Sequence, residues 1–155
     1  MSTKTLNPEV VEGILGSVTD PEIPVLTIAE LGVLRSVEVE GSRVVVTVTP
    51  TYSGCPAMAQ IADDIRAVLA REGIDDVEVR TTYSPAWSTD DISEEGRSKL
   101  EAFGIAPPVP EDEVLCPRCQ ADTPRLVARF ASTACKALMV CSSCGEPFDY
   151  FKELR

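Results

Sequence analysis

Histidine is absent from the 155 residues, and that absence removes more chemistry than any other feature of the sequence. Without imidazole the chain alone supplies no His general base, no His-ligated catalytic zinc and no Glu-x-x-His di-iron site. Aromatic residues are scarce at 5%, and the single tryptophan, Trp87, is expected to pack over a sheet edge or at an interface. There is no run of 18 apolar residues and no basic-then-apolar leader. Neither a membrane span nor a secretory signal is therefore expected, and the reading is cytoplasmic. Basic residues are also short, 14 against 25 acidic, for a net charge of −11. The deficit is uneven: residues 1–106 carry 8 basic and 18 acidic side chains, residues 107–155 carry 6 and 7. Such a balance disfavours nucleic acid, whose binding rewards clustered Lys and Arg. A glycine-rich dinucleotide fingerprint is missing too, which removes NAD and FAD.

What the chain does have is cysteine, six residues in all, and an apolar fraction of 44% that is ample for a core. Cys116-Pro-Arg-Cys119 and Cys141-Ser-Ser-Cys144 are two C-x-x-C knuckles separated by 21 residues. Apolar alternation over Arg125 to Ala131 and Lys136 to Val140 supplies strands between them. Four thiolates in this spacing point to a four-cysteine zinc ribbon, in which bound metal supplies folding free energy that so short a segment cannot obtain by packing. Two disulfides, disfavoured in a reducing compartment, and an iron or iron-sulfur site are the competing readings. Cys135 is left over as a small buried residue, an alternative ligand or a thiol near the metal.

The sixth cysteine lies in Thr49-Pro-Thr-Tyr-Ser-Gly-Cys-Pro56, between a valine-rich strand and an amphipathic helix. Pro56 suits the first helical position, which puts Cys55 at the N-cap, where unpaired N–H groups and the helix dipole favour thiolate. The alternative is a small buried apolar residue. Upstream, Pro21 and Pro24 hold an extended loop that fixes Asp20 and Glu22. These carboxylates either ligate a metal or partner, or serve as ordinary turn chemistry.

In chain order, Asn7 and Pro8 start a helix with Val10, Val11, Ile14, Leu15 and Val18 on one face. Val33–Glu40 and Arg43–Thr49 form a hairpin about Gly41-Ser42, and Met58, Ile61, Ile65, Val68 and Leu69 make the stripe of a helix that stops near Gly73. Val77 to Thr81 forms a third strand, and Ser93 caps a short helix through Phe103. The fold class is α+β: a small α-β-β-α-β-α sandwich over residues 1–106, a proline-rich linker at 107–113, and a small β zinc ribbon at 114–155. A small sheet with a free edge leads us to expect a homodimer.

Two sets of motifs carry a resemblance. Asp20-Pro-Glu-Ile-Pro-Val25, Ile28-x-Glu30-Leu-Gly32 and Gly54-Cys-Pro56 resemble the domain of SufT-type metal-sulfur cluster assembly factors. Ser84-Pro-Ala-Trp-Ser88, Ser132-Thr-Ala-Cys-Lys-Ala-Leu138 and Cys141-x-x-Cys144-x-Glu-Pro-Phe-Asp-Tyr-Phe-Lys152 are similar to the phenylacetate-degradation protein D family, subunits of the ring-1,2-phenylacetyl-CoA epoxidase. The resemblance implies a non-catalytic accessory that assembles or delivers iron-sulfur or di-iron centres to the oxygenase or reductase subunits. It also implies Cys55, Asp20 and Glu22 as the assembly site, with transient iron or an iron-sulfur cluster, and Cys116, Cys119, Cys141 and Cys144 as zinc ligands. A purely structural bridging subunit, a thiol oxidoreductase and a nucleic-acid-binding ribbon are the rivals. The second lacks a C-x-x-C partner for Cys55, and charge opposes the third.

Overall fold

A computed structural model describes residues 5–52 and 55–154. The chain divides into two compact units, residues 1–87 and 88–155.

The first unit begins with helix α1, Pro8–Leu15, where the Asn7 side chain accepts the Val10 N–H at 2.9 Å, as its sequence dictates. Val11 and Leu15 on its inner face are fully buried. One element of this unit has no counterpart among the sequence expectations: Ile28–Leu31 is a single helical turn, α2. Its local signal is a capping box, in which the Thr27 hydroxyl accepts the Glu30 N–H and Glu30 accepts the Thr27 N–H, both at 3.1 Å. Gly32 then closes the turn with φ of 81°, a left-handed conformation that costs glycine little.

The hairpin forms as expected from β1, Leu34–Glu40, and β2, Arg43–Val48. Helix α3, Ala57–Arg71, carries the chain back so that β3, Val77–Thr81, pairs parallel with β2. The sheet order β1-β2-β3 makes β2 central. That position explains why Val44, Val45, Val46 and Val48 are all buried, rather than only alternate residues. Ile61, Ile65 and Leu69 of α3 are fully buried as well. Trp87 is buried and donates its indole N–H to the Leu31 carbonyl at 2.9 Å, which ties the end of this unit to α2.

The second unit contains α4, Glu94–Ala102, capped by Ser93 as its sequence indicates, and a four-stranded sheet in the order β4-β7-β6-β5. These strands are β4, Ile105–Ala106; β5, Pro124–Ala128; β6, Lys136–Cys141; and β7, Pro147–Phe151. Strands β5, β6 and β7 are antiparallel neighbours, whereas β4 pairs parallel with β7. By compactness α4 and the residues of β4 group with the second unit, whereas the sequence reading assigns residues up to 106 to the first domain. The stretch expected as a linker is packed there as well. Arg97 Nη1 donates to the Pro108 carbonyl at 2.8 Å, and the Tyr150 hydroxyl donates to the Val109 carbonyl. Proline density marks a stiff segment, and stiffness suits packing as well as tethering.

Candidate functional site

The candidate assembly site lies in the first unit, beyond the carboxyl end of β2. The sequence places Cys55 at the N-cap with Pro56 as the first helical residue; the structure puts Pro56 at the N-cap and begins α3 at Ala57. Cys55 is half-buried one step outside the helix, and its N–H donates to the Tyr52 carbonyl at 3.2 Å. Gly54 lies outside the described residues.

Asp20 is only 4% exposed, and its Oδ1 accepts the N–H groups of Glu22 at 2.7 Å and Ile23 at 3.1 Å. The carboxylate thereby folds its own loop. The Tyr52 hydroxyl donates to Glu22 Oε1 at 3.5 Å, so Glu22 meets the loop that carries Cys55. Both carboxylates act electrostatically on Cys55.

The surroundings of the sulfur oppose the thiolate expected at a helix start. Burial pushes the Cys55 thiol above its ordinary value, and the charges of Glu22 and Asp20 push the same way. The Ala57 N–H and the Thr51 hydroxyl, both hydrogen-bonded to the sulfur, oppose the shift without reversing it. The balance favours the protonated thiol, chiefly through burial and secondarily through the two carboxylates. Iodoacetamide should alkylate it slowly at pH 7, with a rate that still rises above the ordinary thiol value of 9.0. Peptide mapping by mass spectrometry would check this, and a rate plateau below pH 8 would contradict it.

The second site belongs to the ribbon. The sulfurs of Cys116, Cys119, Cys141 and Cys144 all lie within 4.8 Å of one another, with Cys116 to Cys144 at 3.7 Å and Cys119 to Cys141 at 3.6 Å. Bonds of about 2.3 Å from a tetrahedral zinc set its sulfurs about 3.8 Å apart, so the donor set fits that ion. The two knuckles repeat one local geometry. In each, the N–H of the second cysteine reaches the sulfur of the first at 3.5 Å, Cys119 to Cys116 and Cys144 to Cys141. In each, the next residue is left-handed, Gln120 at φ 63° and Gly145 at φ 78°, and returns its N–H to the carbonyl of the first cysteine. The Arg118 guanidinium joins the knuckles through Glu146 Oε2 at 2.7 Å.

Four such sulfurs cannot all ionise without a cation. The N–H groups of Cys144 and Ser143 hold the Cys141 thiol down at about 6. The Ala121 N–H lowers Cys119, but desolvation and hydrogen bonds with the three neighbouring sulfurs together push it up to about 12. Cys135 is outside the set. It precedes β6 and Cys141 ends it, so six residues at about 3.3 Å each put roughly 20 Å between them. Its sulfur meets the Thr133 hydroxyl at 3.0 Å.

Comparison with known proteins fits this division. An iron-sulfur cluster assembly protein family matches residues 8–81, and the PaaD zinc beta ribbon domain matches residues 106–152. A protein of Escherichia coli (strain K12), provisionally named as the D component of 1,2-phenylacetyl-CoA epoxidase, is 45% identical over 90% of this chain and 88% of its own length. This chain belongs to the PaaD family. Its first unit is also similar to the Fe-S protein maturation auxiliary factor SufT of Staphylococcus aureus (strain USA300), 40% identical over 49% of this chain and 88% of that protein. A solved domain of unknown function, DUF59, from Bacillus anthracis superposes with a TM-score of 0.56 at 29% identity, covering 60% of the PaaD-family chain and 90% of its own. A conserved hypothetical protein from Thermotoga maritima gives 0.53 at 30% identity, covering 63% and 97%. Among the described residues, no helix is long and apolar enough to cross a membrane.

Proposed function

We propose that this chain is a non-catalytic accessory component of a phenylacetyl-CoA epoxidase system that helps assemble or deliver iron-sulfur or di-iron centres to the oxygenase or reductase subunits. The observation that carries the reading is the placement of Cys55: a half-buried sulfur within the field of two carboxylates, on a loop tied to theirs by Tyr52 and Glu22. A site of this kind favours a cation over an anionic electrophile. When an iron centre arrives as cargo, the Cys55 proton leaves to solvent and the sulfur takes the metal in its place. The Ala57 N–H and the Thr51 hydroxyl then stabilise the anionic sulfur, and the negative charges that opposed ionisation attract the cation. The maturation factors similar to the first unit support the assembly role, and the PaaD-type relative supports the epoxidase as client.

In the same reading the ribbon holds one zinc through Cys116, Cys119, Cys141 and Cys144, a set with no open position for substrate. Zinc there organises the fold and performs no reaction.

The test is Cys55→Ser in cells that produce the complete epoxidase. Expected is an accessory protein that folds and keeps its zinc, with iron content and activity of the client falling at least tenfold. Full client activity alongside stable co-purification would replace the assembly role with a structural bridging one.

A further inference from the structure

From Thr123 to Gly145 the sequence runs 23 residues without an acidic side chain, in a chain whose net charge is −11. The structure turns part of that run into a surface. Strand β5 is the last of its sheet and pairs only with β6 among the described residues, which leaves its outer edge open. Arg125 and Val127, the latter 48% exposed, lie on it, and the exposed Arg129 and Phe130, the latter at 68%, follow its last residue. Phe130 does not hang free. Lys152 Nζ lies 4.2 Å from its ring centroid and donates to the Arg129 carbonyl at 2.9 Å, so one ammonium fixes both the ring and the turn below it. Beside the ring is a cavity of about 140 Å³, floored by Leu126, Ala137 and Tyr150 and rimmed by Glu111, Arg129 and Lys152.

Open strand edges are a standing hazard unless they are blunted or used. Two arginines and a lysine blunt this edge against most basic or neutral strands and select for the opposite charge.

We propose that the β5 edge is a docking site for an extended, acidic segment of a partner protein, which adds as a strand outside β5 and seats one apolar side chain beside Phe130. Main-chain bonds would hold the strand, the cavity would select its apolar residue, and Arg125, Arg129 and Lys152 would pair with its carboxylates. The site is independent of Cys55, and its test does not depend on metal transfer.

The probe is a fluorescein-labelled nine-residue peptide that alternates aspartate with valine and carries one central phenylalanine. Its anisotropy is titrated with the full-length, zinc-loaded protein. Binding should weaken at least tenfold for Arg129→Glu, about fivefold for Phe130→Ala, and progressively with added salt as charge pairs are screened. Cys55→Ser should bind like the parent. Both altered side chains are exposed, and unchanged zinc content with an unchanged circular dichroism spectrum shows that the variants fold. Equal binding of a peptide with lysine in place of aspartate would overturn the proposal. So would parent-like binding by both variants, or no binding of the acidic peptide at millimolar protein. Dimerisation in sedimentation that Arg129→Glu abolishes would assign the edge to a second copy instead, which also overturns it.

Discussion

Cys141→Ser is expected to release the ribbon's metal and unfold residues 105–151, leaving the first unit folded. The apolar cluster of the ribbon consists of Ala106, Val114, Cys116, Ala137, Met139, Cys141, Phe148 and Tyr150. Two of these eight, Cys116 and Cys141, belong to the proposed zinc set, so packing and coordination would be one structure. Small zinc sites contribute on the order of 10–16 kcal/mol in isolated peptides at pH 7, about as much as burial of the other six side chains, and the entropy of ordering the segment opposes both. Losing one thiolate should therefore cost more than the ribbon's whole stability. Hydrogen exchange read by mass spectrometry would show it: amides of β5, β6 and β7 lose protection, while those of α1, α3 and β2 keep theirs. Metal release by a chelator should give the same pattern and yield one zinc per chain. Acid should reproduce it too, because protons compete with the metal for sulfur, so release rises as pH falls. Cys135→Ser should change neither metal content nor protection. A Cys141→Ser protein that kept one metal per chain and full protection would refute the assignment.

The second large effect concerns Asp20, where fold and chemistry are superimposed. Asp20→Ala removes the acceptor of two backbone N–H groups in a buried loop. The cost should be about 2–4 kcal/mol, since hydrogen bonds to charged groups are strong and their donors are left without a partner. For a unit of this size that lowers the melting temperature by roughly 10–20 °C. Asp20→Asn presents the same oxygen without the charge, so it should keep most of the stability. It should also remove one of the negative charges that hold the Cys55 proton, lowering the thiol's pKa and accelerating alkylation near pH 8. The two variants thus separate the loop's architecture from its electrostatics. Equal melting temperatures for alanine, asparagine and parent would show that the Asx loop contributes nothing. Unchanged alkylation in the asparagine variant would show that Asp20 does not act on the thiol.

Much of this is readable from residues alone, wherever the cause is local. Asn7 with Pro8 announces a capped helix, Gly41 a tight hairpin, and Ser93 before two glutamates another cap; each interaction spans only a few residues. The grouping of the four ribbon cysteines is legible because paired C-x-x-C knuckles are the spacing a tetrahedral ion would require. The single turn Ile28–Leu31 escapes because four residues give no helical periodicity, although Thr27 and Glu30 spell its cap. Strand β7 escapes because Pro147–Phe151 is short and buries Phe148, Tyr150 and Phe151, which breaks simple alternation. The pairing of Ile105 and Ala106 with Asp149 and Tyr150 is invisible because the partners lie more than 40 positions apart. The environment of Cys55 is hidden for the same reason. Sequence shows a helix start that favours thiolate, whereas burial and the charges of Glu22 and Asp20 come from the fold.

The pairing that closes the second unit also sets when it can be completed on the ribosome. Thr89 donates its N–H to the Leu154 carbonyl at 2.8 Å and receives the Leu154 N–H on its hydroxyl at 3.1 Å, across a separation of 65 residues. With β4 waiting for β7 in the same way, nothing in this unit can be finished until its last strand has left the exit tunnel. The first unit, whose sheet is complete at Thr81, is free to fold during synthesis. A nascent chain would therefore present a folded cysteine-bearing unit while the four ribbon thiols are still unfolded and open to whatever metal the cell supplies.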